Sequence, residues 1–155
     1  MDAIIAAEGL SITGGGRDAL LSLSGGDMRR VLNVMQACHM AFPGDINERA
    51  VYLCTGSPLP EDMARYLHLL LNEDFKAAFT EVRTSAHTSG YALSDILREV
   101  TVLVLALGLP GPVLAQLLDD MSTLEWRLAA GASEKVQLAA LVGAFMVARE
   151  TMTPP

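Results

Sequence analysis

Residues 93–107 read LSDILREVTVLVLAL, and the spacing of their apolar side chains decides the fold class. Large aliphatic residues recur every three or four positions, at Leu93, Ile96, Leu97, Val100, Val104 and Leu107. That period is typical of a helix with a buried face, whereas a half-buried strand would alternate apolar and polar residues. The continuous apolar run from Val100 to Leu107 is far shorter than the roughly 20 residues that a membrane-spanning helix needs. The segment therefore predicts a helix packed inside a protein.

The same period recurs along the rest of the chain. It predicts further helices over residues 2–8, 17–23, 28–40, 47–53, 60–71, 74–86, 112–128 and 134–151. Aromatic residues make up only 5 % of the chain, which is unlike the composition of most strand-rich sandwiches. The predicted fold class is all-α, with a short three-helix segment followed by a bundle of five to six helices.

Glycine and proline divide these helices. The three consecutive glycines at 14–16 predict a flexible loop before the second helix. Asp27, or else Ser24, is expected to cap the third helix. The residues Phe42-Pro43-Gly44 mark a larger boundary, because the three short helices before them are too few to bury a good core. We therefore predict two domains, covering residues 1–43 and 44–155.

The bulk composition excludes several classes of protein. Apolar residues make up 51 % of the chain and charged residues only 19 %, which is too apolar for a disordered chain. The net charge of −7 is unlike that of a free-standing duplex-binding domain, which is normally basic. Cys38 and Cys54 have no CxxC spacing and predict buried, reduced thiols in an intracellular protein.

No catalytic or metal-binding motif is present in the sequence. The glycines at 14–16 lack the lysine and the spacing of a phosphate-binding Walker A loop. His39, His68 and His87 are scattered and do not form an HExxH motif. We therefore predict no catalytic residue and no metal ligand in this chain.

Two helices are apolar on more than one face, the one around Val100 and the last one. A helix that is apolar nearly all round is either central in its bundle or covered by a partner. Since two helices of a five-helix bundle cannot easily both be central, we expect an oligomer interface rather than a purely internal core.

Arg29 and Arg30 follow Gly26-Asp27-Met28 and fall in the first turn of a predicted helix. Cations there oppose the helix macrodipole, at a cost of roughly 0.3–1 kcal/mol for an exposed site. In one interpretation, Arg29 pairs with Asp27 or is simply solvated. In the other, an arginine and the helix start converge on an anion that another domain supplies.

Several stretches resemble a known family when they are taken together. SGGDMRRVLNVMQ (24–36) resembles the sensor-2 helix of the AAA+ small subunits of replication factor C, the eukaryotic sliding-clamp loader. VYLCTGSP (51–58) resembles the junction between the lid and the collar in that family. The resemblance continues in the same order through LNEDF (71–75), ALSDIL (92–97) and EWRL (125–128). It covers nearly the whole chain, and is greatest to the small subunit numbered 5 in animals and 3 in yeast.

The resemblance implies an AAA+ lid over residues 1–43 and a collar over 44–155. The family's sensor-2 arginine contacts the γ-phosphate of ATP, and its place in the motif implies Arg29, with Arg30 as the second candidate. The collar implies assembly with the other clamp-loader subunits in a five-subunit ring. The parent would bind ATP and Mg²⁺, act on the sliding clamp and primer–template DNA, and reside in the nucleus. This segment is expected to bind no cofactor, to contact no membrane and to have no ATPase activity.

The sequence also departs from the family's pattern. Trp126 stands where the family more often has tyrosine, at a site that we expect to be packed. The Rossmann-like ATPase core is absent, so the chain is either an excised fragment of a longer protein, which we favour, or a truncated product that starts naturally at Met1. The alternative hypothesis is a stand-alone, all-helical protein-interaction domain without nucleotide coupling. No constellation of residues supports a third hypothesis, an enzyme of another type.

Overall fold

The computed structural model describes residues 5–6, 8–42 and 44–152. Its helices are α1 (Gly14–Ser24), α2 (Met28–Ala41), α3 (Glu48–Thr55), α4 (Pro60–Asn72), α5 (Phe75–Ser89), α6 (Leu93–Ala106), α7 (Gly111–Ala129) and α8 (Glu134–Met152). Within the described ranges there is no strand, and β-pairing is limited to an isolated bridge between Ile12 and Ile46. The prediction of an all-α fold is confirmed. None of these helices is long and apolar enough to cross a membrane.

The apolar period located most of the helices accurately. The ends of α2 and of α4 through α8 differ from the predicted ends by about three residues at most, which is the usual scatter of helix boundaries. The helix predicted over residues 2–8 lies largely outside the described residues, although Ile5, Ala6 and Glu8 are helical.

The chain divides into two compact units, residues 1–59 and 60–155. The boundary predicted between residues 43 and 44 falls inside the first unit. The reason is that residues 44–59 complete the core of that unit: Ile46 is buried beside Ile12, and Val51 of α3 is fully buried. Helix α3 packs against both α1 and α2, which also pack against each other, so the core of the first unit needs all three helices.

The three glycines at 14–16 are helical, so the predicted flexible loop is wrong. Thr13 caps α1, and its Oγ1 accepts a hydrogen bond from the amide of Gly16 at 3.1 Å. Gly16 is buried against the chain at Ile46, where an added Cβ would lie 2.2 Å from the Ile46 carbonyl oxygen. Glycine is therefore required at position 16 by close packing of two backbone segments rather than by flexibility.

Gly16→Ala is expected to lower the free energy of unfolding of the first unit by about 1–3 kcal/mol, because the methyl group must displace backbone. Gly14→Ala is the matched control, since an added Cβ at Gly14 meets nothing within 4 Å. That control should keep or slightly raise stability. Urea unfolding followed by circular dichroism measures both variants. Equal behaviour of the two variants would contradict the packing of Gly16 against Ile46.

The second unit is a bundle of the five helices α4 to α8. Helix α8 packs against α7, α5 and α4, while α6 packs against α4 and α7. The largest fully buried side chains of the core are Tyr66 and Phe145. Burial raises the pKa of Tyr66, whose protonated hydroxyl donates a hydrogen bond to Ser85 Oγ at 2.9 Å. Helix α8 thus packs against three other helices of the bundle, and it buries Leu138, Leu141, Val142 and Phe145 on one side.

Arg149 of α8 stabilises the carboxyl end of α4. Its guanidinium donates hydrogen bonds to the backbone carbonyls of Glu73 and Asn72, the latter at 3.3 Å. These carbonyls have no partner within the helix, and a cation beside them also favours the helix macrodipole. A side chain that is distant in sequence therefore caps the carboxyl end of α4.

Arg149→Ala is expected to lower the free energy of unfolding of the second unit by about 1–2 kcal/mol, because charged hydrogen bonds to helix carbonyls are lost. Arg83→Ala makes the same chemical change at an exposed position of α5 and should cost less than about 0.5 kcal/mol. Equilibrium urea unfolding compares them. Equal losses for the two variants would show that Arg149 does not cap α4.

Candidate functional site

Two consecutive glycines position the start of α2. Gly25 ends α1 with φ 57°, and Gly26 has φ 83°, a left-handed conformation that side chains rarely adopt. The chain can therefore reverse between α1 and α2 within three residues. Asp27 then caps α2 as predicted, because its Oδ1 accepts hydrogen bonds from the amides of Arg29 at 2.8 Å and Arg30 at 3.4 Å.

The side chains of Arg29 and Arg30 are exposed at this helix start. The ion pair with Asp27 that the sequence left open is not formed, and neither guanidinium is in an ion pair with any described residue. The Asp27 carboxylate is instead bound to the helix amides. Two cations without an ion-pair partner among the described residues thus lie beside the positive end of a helix, where they are locally unfavourable and would be stabilised by an anion.

The second unit exposes several large apolar side chains. The most exposed of them are Trp126 (71 %), Val136 (60 %), Val102 (59 %), Leu105 (56 %) and Val147 (55 %). The expectation that Trp126 is packed is wrong for the isolated chain. It is part of α7, on the side facing away from the buried residues Leu117, Met121 and Leu124, so no other helix of the bundle covers it.

Four small or aliphatic residues of α8 lie apart from its buried residues in one stripe, which we call the α8 stripe: Val136, Ala139, Gly143 and Val147. Their spacing of three and four places them on one side of the helix. The opposite sides carry the buried residues Leu138, Leu141, Val142 and Phe145. An added Cβ at Gly143 would meet nothing within 4 Å, so the middle of the stripe is open.

One groove of the second unit, about 470 Å³, does not form an active site. Its ionisable residues are Arg83, His87, Glu134 and Lys135. Glu134 has a structural role, because its carboxylate accepts a hydrogen bond at 3.4 Å from the amide of Leu93, at the start of α6. Helix α6 needs this partner because its capping residue, Ala92, has no polar side chain.

The structure does not bring the candidate metal ligands together. His39, His68 and His87 are exposed on three different helices. Across residues 5–6, 8–42 and 44–152, no group of three or more His, Cys, Asp and Glu side chains could hold a metal ion. Cys38 is buried as predicted, but Cys54 is only half-buried.

Comparison with known proteins identifies the family. A family model described as the replication factor C C-terminal domain matches residues 58–144, starting next to the boundary between the two units. Replication factor C subunit 3 of Oryza sativa subsp. japonica is 44 % identical over 149 residues, covering 96 % of this chain and 41 % of the rice protein. Replication factor C subunit 5 is 42 % identical in Mus musculus and 41 % identical in Homo sapiens, each match covering 97 % of this chain and 44 % of the relative.

The chain spans less than half the length of these relatives. The matched region is the C-terminal domain of the family, which is not its catalytic part. The resemblance predicted from the sequence is confirmed, and this chain belongs to the replication factor C family.

Proposed function

We propose that the chain is the C-terminal part of a small subunit of an ATP-dependent clamp loader, which places a sliding clamp on primer–template DNA. The observation that carries this proposal is the match of 96 % of the chain to a replication factor C subunit at 44 % identity. On this proposal, ATP and Mg²⁺ bind in the ATPase core of the parent, and DNA and the clamp are partners of the parent complex. A role in replication also implies a nuclear location.

The second unit is proposed to act as the collar, which holds neighbouring subunits together. The α8 stripe, the exposed residues of α6 and Trp126 give it apolar surface that the isolated chain leaves in water. Exposed apolar surface of this kind marks interaction sites. The expected oligomer interface would thus use the outer sides of helices whose inner sides build the core.

Gly143 supports a close helix contact at the α8 stripe. Glycine inside a helix costs roughly 0.5–1 kcal/mol relative to alanine. Gly143 has a helical backbone and open space around it, so nothing in the bundle requires glycine there. A partner helix that approaches the backbone closely at the stripe would require it.

Arg29 is proposed as the sensor-2 residue that contacts the γ-phosphate of ATP in the parent, with Arg30 as the second candidate. Both guanidinium groups are exposed beside the start of α2 and are in no ion pair with a described residue. Arginine suits this role because its planar donors bind phosphate oxygens in pairs. The first unit would then be the remnant of the lid that carries this helix.

A competition experiment tests the proposal. Excess of this chain is added while a clamp loader is reconstituted from its full-length subunits. If the chain carries the collar, it occupies the place of the full-length small subunit and lowers ATP-dependent clamp loading in proportion to its excess. A variant of the chain that does not fold is the control for nonspecific inhibition. Unchanged loading at high excess would contradict the proposal and favour a stand-alone interaction domain.

A further inference from the structure

The two cysteines of the chain lie together where α2 packs against α3. Cys38 of α2 is fully buried, and its thiol donates a hydrogen bond to the Ala50 carbonyl of α3 at a sulfur–oxygen distance of 3.7 Å. In an α-helix, the carbonyl of residue 50 faces the amide of residue 54. The Cys38 sulfur therefore lies next to the backbone that carries Cys54. Cys54 is half-buried and packs against the same apolar cluster.

The two thiols also interact with each other and differ in their access to solvent. Burial, and then the neighbouring Cys54 thiol, raise the pKa of the Cys38 thiol to about 12. Cys38 is thus a neutral, shielded thiol at neutral pH. Cys54 keeps partial access to solvent, so a reagent in solution reaches Cys54 first.

We propose that Cys38 and Cys54 are a redox-sensitive pair, which a hydroperoxide converts into a disulfide linking α2 to α3. In the first step, the Cys54 thiol loses its proton and its sulfur attacks a peroxide oxygen. The O–O bond breaks, the released hydroxide takes up that proton, and a sulfenic acid and one water form from the thiol and hydrogen peroxide. In the second step, the Cys38 sulfur attacks the Cys54 sulfur and the S–O bond of the sulfenic acid breaks. The Cys38 thiol proton leaves with the hydroxyl group as a second water, and the S–S bond forms. Both thiols are oxidised, the peroxide is reduced, and a dithiol reductant reverses the change.

The disulfide would constrain the first unit at a specific place. Helix α2 carries Arg29 and Arg30 in its first turn and Cys38 in its last turn. A disulfide between its last turn and α3 would add a covalent bond to the packing that already holds these two helices together. Because a cross-link restricts the unfolded chain, the oxidised form is expected to unfold at a higher urea concentration than the reduced form.

The experiment treats the intact chain with hydrogen peroxide and counts free thiols with a maleimide reagent under denaturing conditions. Two thiols before treatment and none after it, with both recovered by dithiothreitol, is the expected result. Peptide mapping should then find Cys38 linked to Cys54 within one chain. Cys54→Ser, which changes the more accessible partner, should keep one reactive thiol and show no rise in the urea midpoint.

Other products would overturn the proposal. Mapping that finds Cys54 as a sulfinic acid beside a free Cys38 would show that the two sulfurs cannot meet. Disulfides between Cys54 residues of two chains would show that the accessible thiol reacts with other molecules instead. The thiol count and the peptide mapping use the unmodified chain, so they do not depend on whether a cysteine variant folds.

Discussion

Gly143→Leu is expected to leave the isolated chain folded and to weaken its binding to the neighbouring clamp-loader subunits about tenfold or more. We expect the chain to accommodate the new side chain because an added Cβ at this position meets nothing within 4 Å, so the leucine starts from an open surface. A closely packed partner helix would not tolerate it, because the leucine would occupy the space of the partner's backbone. Binding measured by surface plasmon resonance, with circular dichroism as the check of folding, tests the expectation.

The alanine variant at the same position separates stability from assembly. Gly143→Ala should raise the free energy of unfolding of the isolated chain by about 0.5–1 kcal/mol, because the helix loses its glycine. It should nevertheless bind its partners less tightly than the original chain does. Thr84→Leu places the same side chain at an exposed position of α5 and should leave binding unchanged. Tight binding by Gly143→Leu would exclude the α8 stripe from the interface.

Arg29→Ala in the full-length subunit is expected to lower ATP-dependent clamp loading by about tenfold or more. An arginine that makes paired hydrogen bonds to a phosphate contributes a charged interaction that alanine cannot replace. A tenfold loss corresponds to about 1.4 kcal/mol, which lies within the range of a single charged hydrogen bond. The measurement is the rate at which the reconstituted complex loads a labelled clamp onto primer–template DNA at saturating ATP.

Arg30→Ala is the matched control, because it removes the same charge from the same exposed turn. It should cause a smaller loss than Arg29→Ala. Both variants should keep the stability of the first unit, since the backbone amides at positions 29 and 30, rather than the side chains, bind Asp27. Unchanged loading by Arg29→Ala would remove its proposed role, and equal losses would assign the effect to the charge of the turn.

The sequence predicted the helices well wherever an apolar period and its stop signals agreed. Helix α6 is the clearest case, because Leu93, Ile96 and Val100 share one side and all become buried. The Asp27 cap was predictable for a similar reason: a single side chain satisfies amides only two and three residues ahead. Both are local properties, which a sequence carries directly.

The features that depend on distant neighbours were not predictable from the sequence. Glycine is required at position 16 by the backbone of Ile46, which is 30 residues away in the chain. Because this contact cannot be read from the sequence, the run of three glycines predicted a loop. The same contact places residues 44–59 in the first unit, contrary to the boundary suggested by Pro43. Likewise, the sequence does not say whether Trp126 is covered by its own chain or left for a partner.

The candidate sites were predictable to different degrees. The sequence motif predicts Arg29 and Arg30 as candidates for the nucleotide contact, which stays a prediction, and the structure adds that both are exposed at a capped helix start. It predicted surplus apolar surface on the last helix but not which side of that helix remains open. The open side of α8 is defined by the packing of its other sides against α4, α5 and α7, and these tertiary contacts cannot be read from the sequence. Gly143, in the middle of α8, was the signal that could have indicated it.

Size-exclusion chromatography of this chain with the other clamp-loader small subunits tests assembly through the collar most directly. We expect the chain to co-elute with those subunits under conditions where the full-length subunits assemble, and the Gly143→Leu variant to elute separately. Elution of the chain as a separate peak under those same conditions would contradict the account.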